Sequence, residues 1–374
     1  MAEARQVNPF VVAGELAAED MIDRDRETAD LLAHARAGQP FRLVGPRRYG
    51  KTTLLARALG EADAEGMATA LVDLEGVVSI ESIVVRIERA YEQRLKGPVR
   101  RAVDAILRSW DIGVSLGGGG FTARLQTSRN VHVESVLQRL LELPATLHER
   151  TERRSFIVFD EVQDLLRVAD AAGAVRSVIQ HHPHAASYGF AGSAPGLMRK
   201  LFEDPAQPLL EHAVPYPLGP LPAEETGDYI SQRFAASGRD PGAALDPLLT
   251  FTRGHPQRTM LLAHHLWRQT PDGASAEEQA WEAALETALA EGEQVLRARW
   301  EALPVNEQRM ALALANFSAS PYDERAYRAV GLKRGSLKAA VDGLVDHAEV
   351  TGQGDDARLT DPLLELWLRR RGVH

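Results

Sequence analysis

The run Gly45-Pro46-Arg47-Arg48-Tyr49-Gly50-Lys51-Thr52 satisfies the spacing G-x-x-x-x-G-K-[ST], a pattern suited to holding a polyphosphate. Gly45 and Gly50 let the backbone bend tightly, so that successive N–H groups and the start of the next helix can cradle a β-phosphate. The Lys51 ammonium would reach β- and γ-phosphate oxygens, and the Thr52 hydroxyl, with Thr53 behind it, is the expected magnesium ligand. The chain has only five lysines (Lys51, Lys96, Lys200, Lys333 and Lys338), so one inside a motif carries weight. An apolar run, FRLVG, enters the loop, and TTLLARAL leaves it with leucines at helical spacing.

A second run, Ser155-Phe156-Ile157-Val158-Phe159-Asp160-Glu161, reads as a buried strand ending in two adjacent carboxylates. Asp160 would hold magnesium through water, and Glu161 would orient and deprotonate an attacking water. A glutamate directly after the aspartate favours hydrolysis over transfer to another acceptor. No Asn-Lys-x-Asp guanine-reading motif occurs, so ATP, with ADP as its product, is preferred over GTP. Ser193, ending the run SYGFAGS, could sense a γ-phosphate or cap the helix starting near Pro195, and the two roles can coexist. Arg253-Gly254-His255-Pro256-Gln257-Arg258 has two readings. It is a tight turn bringing His255 and Pro256 to a nucleotide, or a helix end followed by proline at a helix start.

These side chains need a scaffold that aligns strand ends. Short apolar runs at Phe41–Gly45, Thr69–Leu74, Phe156–Asp160, Tyr188–Gly192 and His212–Pro217 alternate with helical segments, as in a parallel sheet buried on both faces. A hairpin, Ile112–Leu116 and Phe121–Leu125 around Gly117–Gly120, reads as an insertion. Asp246-Pro247, Ser275 with Glu278, and Ser320 with Asp323 read as helix starts, placing helices at about 247–252, 276–300 and 321–330, with another at 256–268. Residues 306–316, 321–330 and 335–347, followed by strands at 350–351 and 358–359, read as a winged helix. On it, Lys333, Arg334 and Lys338 are the candidate DNA contacts. Residues 299–374 nevertheless carry equal numbers of basic and acidic side chains, 11 of each, so a protein-contact role stands beside a DNA-reading one.

Composition narrows the classes further. With 44% hydrophobic and 25% charged residues the chain can bury a core, and its 374 residues suit two to three domains. The absence of cysteine removes disulfides, thiolate metal sites and cysteine nucleophiles. A net charge of -9 argues against coating nucleic acid along the whole surface. The opening MAEARQVNPF lacks a basic region followed by an apolar core. The longest stretch without charge, Ser177–Met198, holds three histidines and two prolines. A soluble, cytoplasmic chain with no membrane partner is expected.

Taken in order, Asn8-Pro9-Phe10, Met21-Ile22-Asp23-Arg24 with Glu27, GPRRYGKT, FIVFDEVQDLL, Gly192-Ser193 and Gly254-His255-Pro256 resemble the archaeal-type ATPases. These belong to the STAND group of AAA+-related P-loop proteins, akin to origin-recognition initiator ATPases. The ending Leu359-Thr360-Asp361-Pro362-Leu363-Leu364-Glu365-Leu366-Trp367-Leu368-Arg369-Arg370 is similar to that family's C-terminal signature. The resemblance implies an α/β P-loop domain of the ASCE/AAA+ kind (1–219), an all-α lid (220–300) and a C-terminal winged helix-turn-helix (301–374). It implies that Pro9, Ile22 and Arg24 line the adenine side, that His255 and Pro256 contact nucleotide, and that Arg258 is a candidate sensor arginine. The chain departs from such relatives at Pro208-Leu209-Leu210-Glu211-His212, where they often carry an arginine; Arg176 and Arg199 are the alternatives for a role between subunits. The leading expectation is a Mg2+-dependent, slowly hydrolysing ATP switch that repositions its winged helix for a protein partner. The alternatives are an ATP-regulated DNA-binding protein and a scaffold that oligomerises with nucleotide.

Overall fold

A computed structural model describes residues 7–12, 21–109, 133–317, 320–352 and 354–372. The glycine-rich hairpin expected at 112–125 lies outside the described residues. The chain divides into two compact units: residues 24–45 with 51–218, and residues up to 23 with 46–50 and 219–374.

The first unit is built on five strands: β1 (Phe41–Val44), β2 (Ala68–Asp73), β3 (Ser155–Asp160), β4 (Ala186–Gly192) and β5 (Val214–Pro217). Their spatial order is β2-β3-β4-β1-β5 and every pairing is parallel. Every residue of β3 and β4 is buried, which is why both read as unbroken apolar runs. The edge strand β5 departs from the expectation of a strand buried on both faces. It starts at Val214, its residues are mostly exposed, and Pro215 and Pro217 suit a strand whose outer side needs no ladder donors.

Helices supply the crossovers: α1 (Asp25–Ala37), α2 (Lys51–Ala64), α3 (Ile80–Arg94), α4 (Gly97–Ser109), α5 (Val133–Thr151), α6 (Ala171–Ile179) and α7 (Pro195–Glu203). Close packing sets the middle of the sheet. A Cβ on Gly189 would lie 2.6 Å from the Phe41 ring, its register partner on β1, so only glycine leaves room for that ring. Strand β4 therefore sits between the strand that enters the glycine loop and the strand that ends in the acidic pair. All three end on the same edge, with Val44 opposite Gly192 and Phe159 opposite Phe190.

The second unit is helical: α8 (Ala223–Ala236), α9 (Leu245–Thr252), α10 (Pro256–Gln269), α11 (Glu278–Glu301), α12 (Val305–Asn316), α13 (Glu324–Ala329), α14 (Leu337–Asp346) and α15 (Pro362–Arg371). A two-stranded antiparallel hairpin, β6 (Val350–Thr351) and β7 (Arg358–Leu359), precedes α15 at the positions expected for a wing. With α12 to α14 it makes a region compatible with a winged helix. Its core runs from Phe10 and Ile22 through Phe234, Leu248, Leu266 and Trp281 to Leu344 and Leu368. Among the described residues no helix is long and apolar enough to cross a membrane.

Three expected helix starts shift. Ser275 donates to Asp240 instead of capping α11, which begins at Glu278 after Glu277. Asp323, not Ser320, caps α13 by accepting from the amides of Arg325 and Ala326. Helix α9 begins one residue before Asp246, which joins the first turn. For the two serines, a tertiary or neighbouring partner takes the side chain that would have capped the helix locally.

The turn between α9 and α10 depends on Gly254. Its φ is 71°, and an added Cβ would lie 2.1 Å from the Leu221 carbonyl oxygen, whose amide donates to the Gly254 carbonyl at 2.8 Å. Because the obstacle is backbone, Gly254→Ala is expected to destabilise the protein by roughly 2–4 kcal/mol, combining steric overlap with the left-handed penalty. Gly273→Ala has the same handedness and no atom within 4 Å, so it should cost about 1 kcal/mol. Urea midpoints of the two variants measure the difference; equal midpoints would dismiss the packing argument.

Candidate functional site

Five of the side chains singled out by motif meet at the ends of β1, β3 and β4. Lys51 is buried and donates from Nζ to the Gly45 carbonyl at 2.8 Å. Thr52 donates from its hydroxyl to Asp160 Oδ2 at 2.9 Å, and the other oxygen of Asp160 accepts from the Glu161 amide at 2.9 Å. Gly45 is needed for close approach, since a Cβ there would be 3.1 Å from Leu218 Cβ. Burial raises the Asp160 carboxyl above its ordinary value; the Thr52 hydrogen bond opposes this, and the Glu161 charge adds to it. A buried carboxylate and a hydroxyl converging with too little positive charge is the oxygen donor set that suits a hard divalent cation.

Glu161 sits in the left-handed region, φ 50° and ψ 38°, at the start of a 3-10 turn, Val162–Arg167. Left-handed backbone at a residue with a long side chain is uncommon and concentrates at functional positions. Ser193 donates to Glu161 Oε2 at 2.8 Å. Ser193 does not cap α7, whose cap residue is Ala194 and takes no side-chain hydrogen bond. The capping reading is therefore not realised, and the hydroxyl faces the acidic pair. Sequence reasoning missed Gln163, which also donates to Glu161 Oε2 and is buried. Its carbonyl lies where a Cβ of Gly192 would be, at 2.4 Å, so Gly192 is small to admit this glutamine. Nothing in the local spacing signals that role, because the contact depends on the left-handed turn at Glu161 and on the small Gly192 of the adjoining strand.

The middle of the glycine loop belongs with the helical unit. Arg48 and Gly50 have φ of 66° and 80°, the alternation of handedness that turns successive amides toward one concave side. The buried Tyr49 ring meets the His255 ring edge-on at 5.0 Å. His255 is buried and caps α10, its Nδ1 accepting from the Arg258 amide at 3.3 Å, with Pro256 at the first helical position. The capping reading of this turn is thus realised, and the histidine also faces the loop. Burial lowers His255 to about 4, with Asp361 opposing and Arg258 adding to the shift, so the ring is neutral near pH 7.

Arg258 is buried, and its guanidinium is bound to Asp361 at 2.9 Å from Nε and 2.5 Å from Nη2. The N-terminal residues divide. Pro9 precedes Phe10, which packs against Phe234 at 5.5 Å, and Ile22 joins the same core. Arg24 caps α1 with left-handed backbone and pairs with Glu27 in the sheet unit. Arg176 bonds Gln180 at 3.1 Å from Nε, and Arg199 is exposed on α7. Lys333, Arg334 and Lys338 are exposed around the start of α14.

The strand order and the loop–acid-pair arrangement define the fold of a P-loop ATPase of the AAA+-related kind, similar to the origin-recognition initiators. Two solved structures share it over nearly their whole length. A Walker-type ATPase of Pyrococcus abyssi matches 96% of this chain and 99% of its own, with a TM-score of 0.69 at 17% identity. The Aeropyrum pernix ORC2 protein, solved in ADPNP–ADP complexes, matches 98% of each chain with a TM-score of 0.61 at 14% identity. No protein-family model matches the chain. No curated protein matches it in sequence.

Proposed function

We propose that the protein is a Mg2+-dependent, ATP-binding and slowly hydrolysing switch of the STAND/AAA+ type. In this reading residues 1–219 bind nucleotide, 220–300 form a lid, and 301–374 form a winged helix that the nucleotide state repositions. The observation that carries it is the convergence of Lys51, Thr52, Asp160, Glu161 and Ser193 at adjoining strand ends, with the Thr52–Asp160 and Ser193–Glu161 contacts at 2.9 and 2.8 Å.

In operation, the amides of residues 45–53 would wrap the β-phosphate and Lys51 would neutralise the β- and γ-oxygens. Thr52 and Asp160 would hold Mg2+, which when bound supplies charge stabilisation of the transferring phosphoryl group. Glu161 would orient a water and take its proton as the water attacks the γ-phosphorus and ADP leaves. Both hydrogen bonds from Ser193 and Gln163 fall on the same Glu161 oxygen, Oε2. The carboxylate is therefore held in one orientation at rest, which supports slow turnover. A neutral His255 and the backbone around Pro256 would report the loop's occupancy to the lid.

The DNA-binding reading has its own support. Lys333, Arg334 and Lys338 are exposed, and none forms an ion pair among the described residues. Phosphate release measured with ATP and Mg2+, with and without random duplex at low salt, separates the two. Slow turnover indifferent to duplex is expected of a switch awaiting a protein partner. Acceleration by duplex that is lost in Lys333→Ala/Lys338→Ala would replace this reading with the DNA-dependent one.

A further inference from the structure

The C-terminal signature contains a carboxylate, Asp361, to which the motifs assign no task. Asp361 is 1% exposed. It accepts two hydrogen bonds from Arg258 on α10, one from Arg299 on α11 at 2.7 Å, and the Leu363 amide at 3.0 Å as the cap of α15. Arg299 also donates from Nε to Glu349, itself buried, at 2.6 Å. One buried acid thus ties the lid helix, the long helix and the C-terminal helix together. Beside it, Arg253 at the end of α9 bonds Glu365 of α15 at 2.7 Å, and the same carboxylate accepts from Arg369 at 2.7 Å.

The glycine loop feels this cluster. Tyr49 packs on His255, three residues before Arg258, and Arg48 next to it makes no hydrogen bond or ion pair with the described residues. The Arg48 guanidinium is pushed below its ordinary value by burial and then by the like charges of Arg258 and Arg299, while Asp361 acts the other way. Burial works against the Asp361 charge, yet Arg258, Arg299 and His255 outweigh it and hold its carboxyl well below the ordinary carboxylate range. Three guanidiniums therefore share two carboxylates, and the cation left over is the one on the loop.

We propose that Asp361 is an internal counter-anion for this arginine cluster, and that it competes for the cluster with a polyphosphate held by the loop. This deepens the nucleotide reading and rests on it. Phosphate oxygens near Arg48 would be attracted by Arg258 and Arg299 and repelled by Asp361, so binding nucleotide loosens the seat of α15. By reciprocity, weakening Asp361 tightens nucleotide. The chemistry is selective for ligands of high negative charge density, and the output is release of the C-terminal helix from the lid.

Calorimetric titration of ATP and of ADP into wild type and Asp361→Asn tests this, since asparagine keeps the cap of α15 while removing the charge. ATP affinity is expected to rise about tenfold, within the usual range of coupling between sites. Amides of residues 363–371 in the wild type are expected to exchange faster with deuterium once ATP is added. Should Asp361→Asn fail to fold, Glu349→Gln leaves Asp361 in place and also adds net positive charge at Arg299; it should tighten ATP about threefold. Glu286→Gln breaks the exposed Glu286–Arg370 pair between α11 and α15, outside the cluster, and should leave affinity unchanged, separating charge from general loosening. Unchanged or weaker ATP binding in the folded charge variants, or exchange at 363–371 indifferent to ATP, overturns the proposal while the nucleotide reading stands. A wild type that binds neither nucleotide removes both.

Discussion

Glu161→Gln is expected to lower phosphate release by about 10²–10⁴-fold, the contribution typical of a positioned general base, while ATP affinity changes by less than about threefold. The amide is isosteric, so the Ser193 hydroxyl and the left-handed backbone at Glu161 can persist. What is lost is the ability to take a proton from the attacking water. Asp160, the neighbouring carboxylate, cannot substitute: it is buried, and its two oxygens are already engaged by Thr52 and by the Glu161 amide. Stopped release with retained binding would make this variant a trap for the ATP state and a bait for the partner. Wild-type turnover in Glu161→Gln would refute the assignment of the base.

Lys51→Ala should weaken ATP binding by roughly 10- to 150-fold, the equivalent of the 1.5–3 kcal/mol of a charge-assisted hydrogen bond. The lysine is buried at the first position of α2, and its stem is fixed by the donation to the Gly45 carbonyl. Its ammonium is therefore presented with little further ordering cost when phosphate arrives. Lys51→Arg is not expected to rescue binding, because a planar guanidinium does not fit a site shaped around a compact ammonium. Titration of a fluorescent ATP analogue against wild type and both variants measures this, with thermal melts to show that each is folded. Binding of wild-type strength by Lys51→Ala would exclude the loop as the phosphate site.

Much of the candidate site was legible because its chemistry is written in contiguous segments. The glycine loop, the acidic pair and Ser193 each sit at the end of an apolar run, and the hydrogen-bond ladder of a parallel sheet then brings those ends to one edge. The short hairpin strands at 350–351 and 358–359 were equally legible, since apolar residues flanking a polar turn are a local signal. Helix starts were less so. Ser275 and Ser320 carry the right side chains, but Asp240 and the turn at Tyr322 take them. Likewise Ser193 offered a local cap to α7, but its hydroxyl turns instead to Glu161, 32 positions away beyond the end of β3.

The sequence by itself determined the class of chemistry and the alternation of strand and helix, because these depend on residue types a few positions apart. Only the tertiary structure decided which distant charges meet. Arg258 and Asp361 are 103 residues apart, and no periodicity relates them. Gln163 and Glu161 are two apart, yet their contact requires the left-handed turn and the glycine at 192 on the adjoining strand. The reason is physical. A buried charge or amide must find a partner wherever the packed chain brings one, and the cost of leaving it unpaired exceeds any local preference.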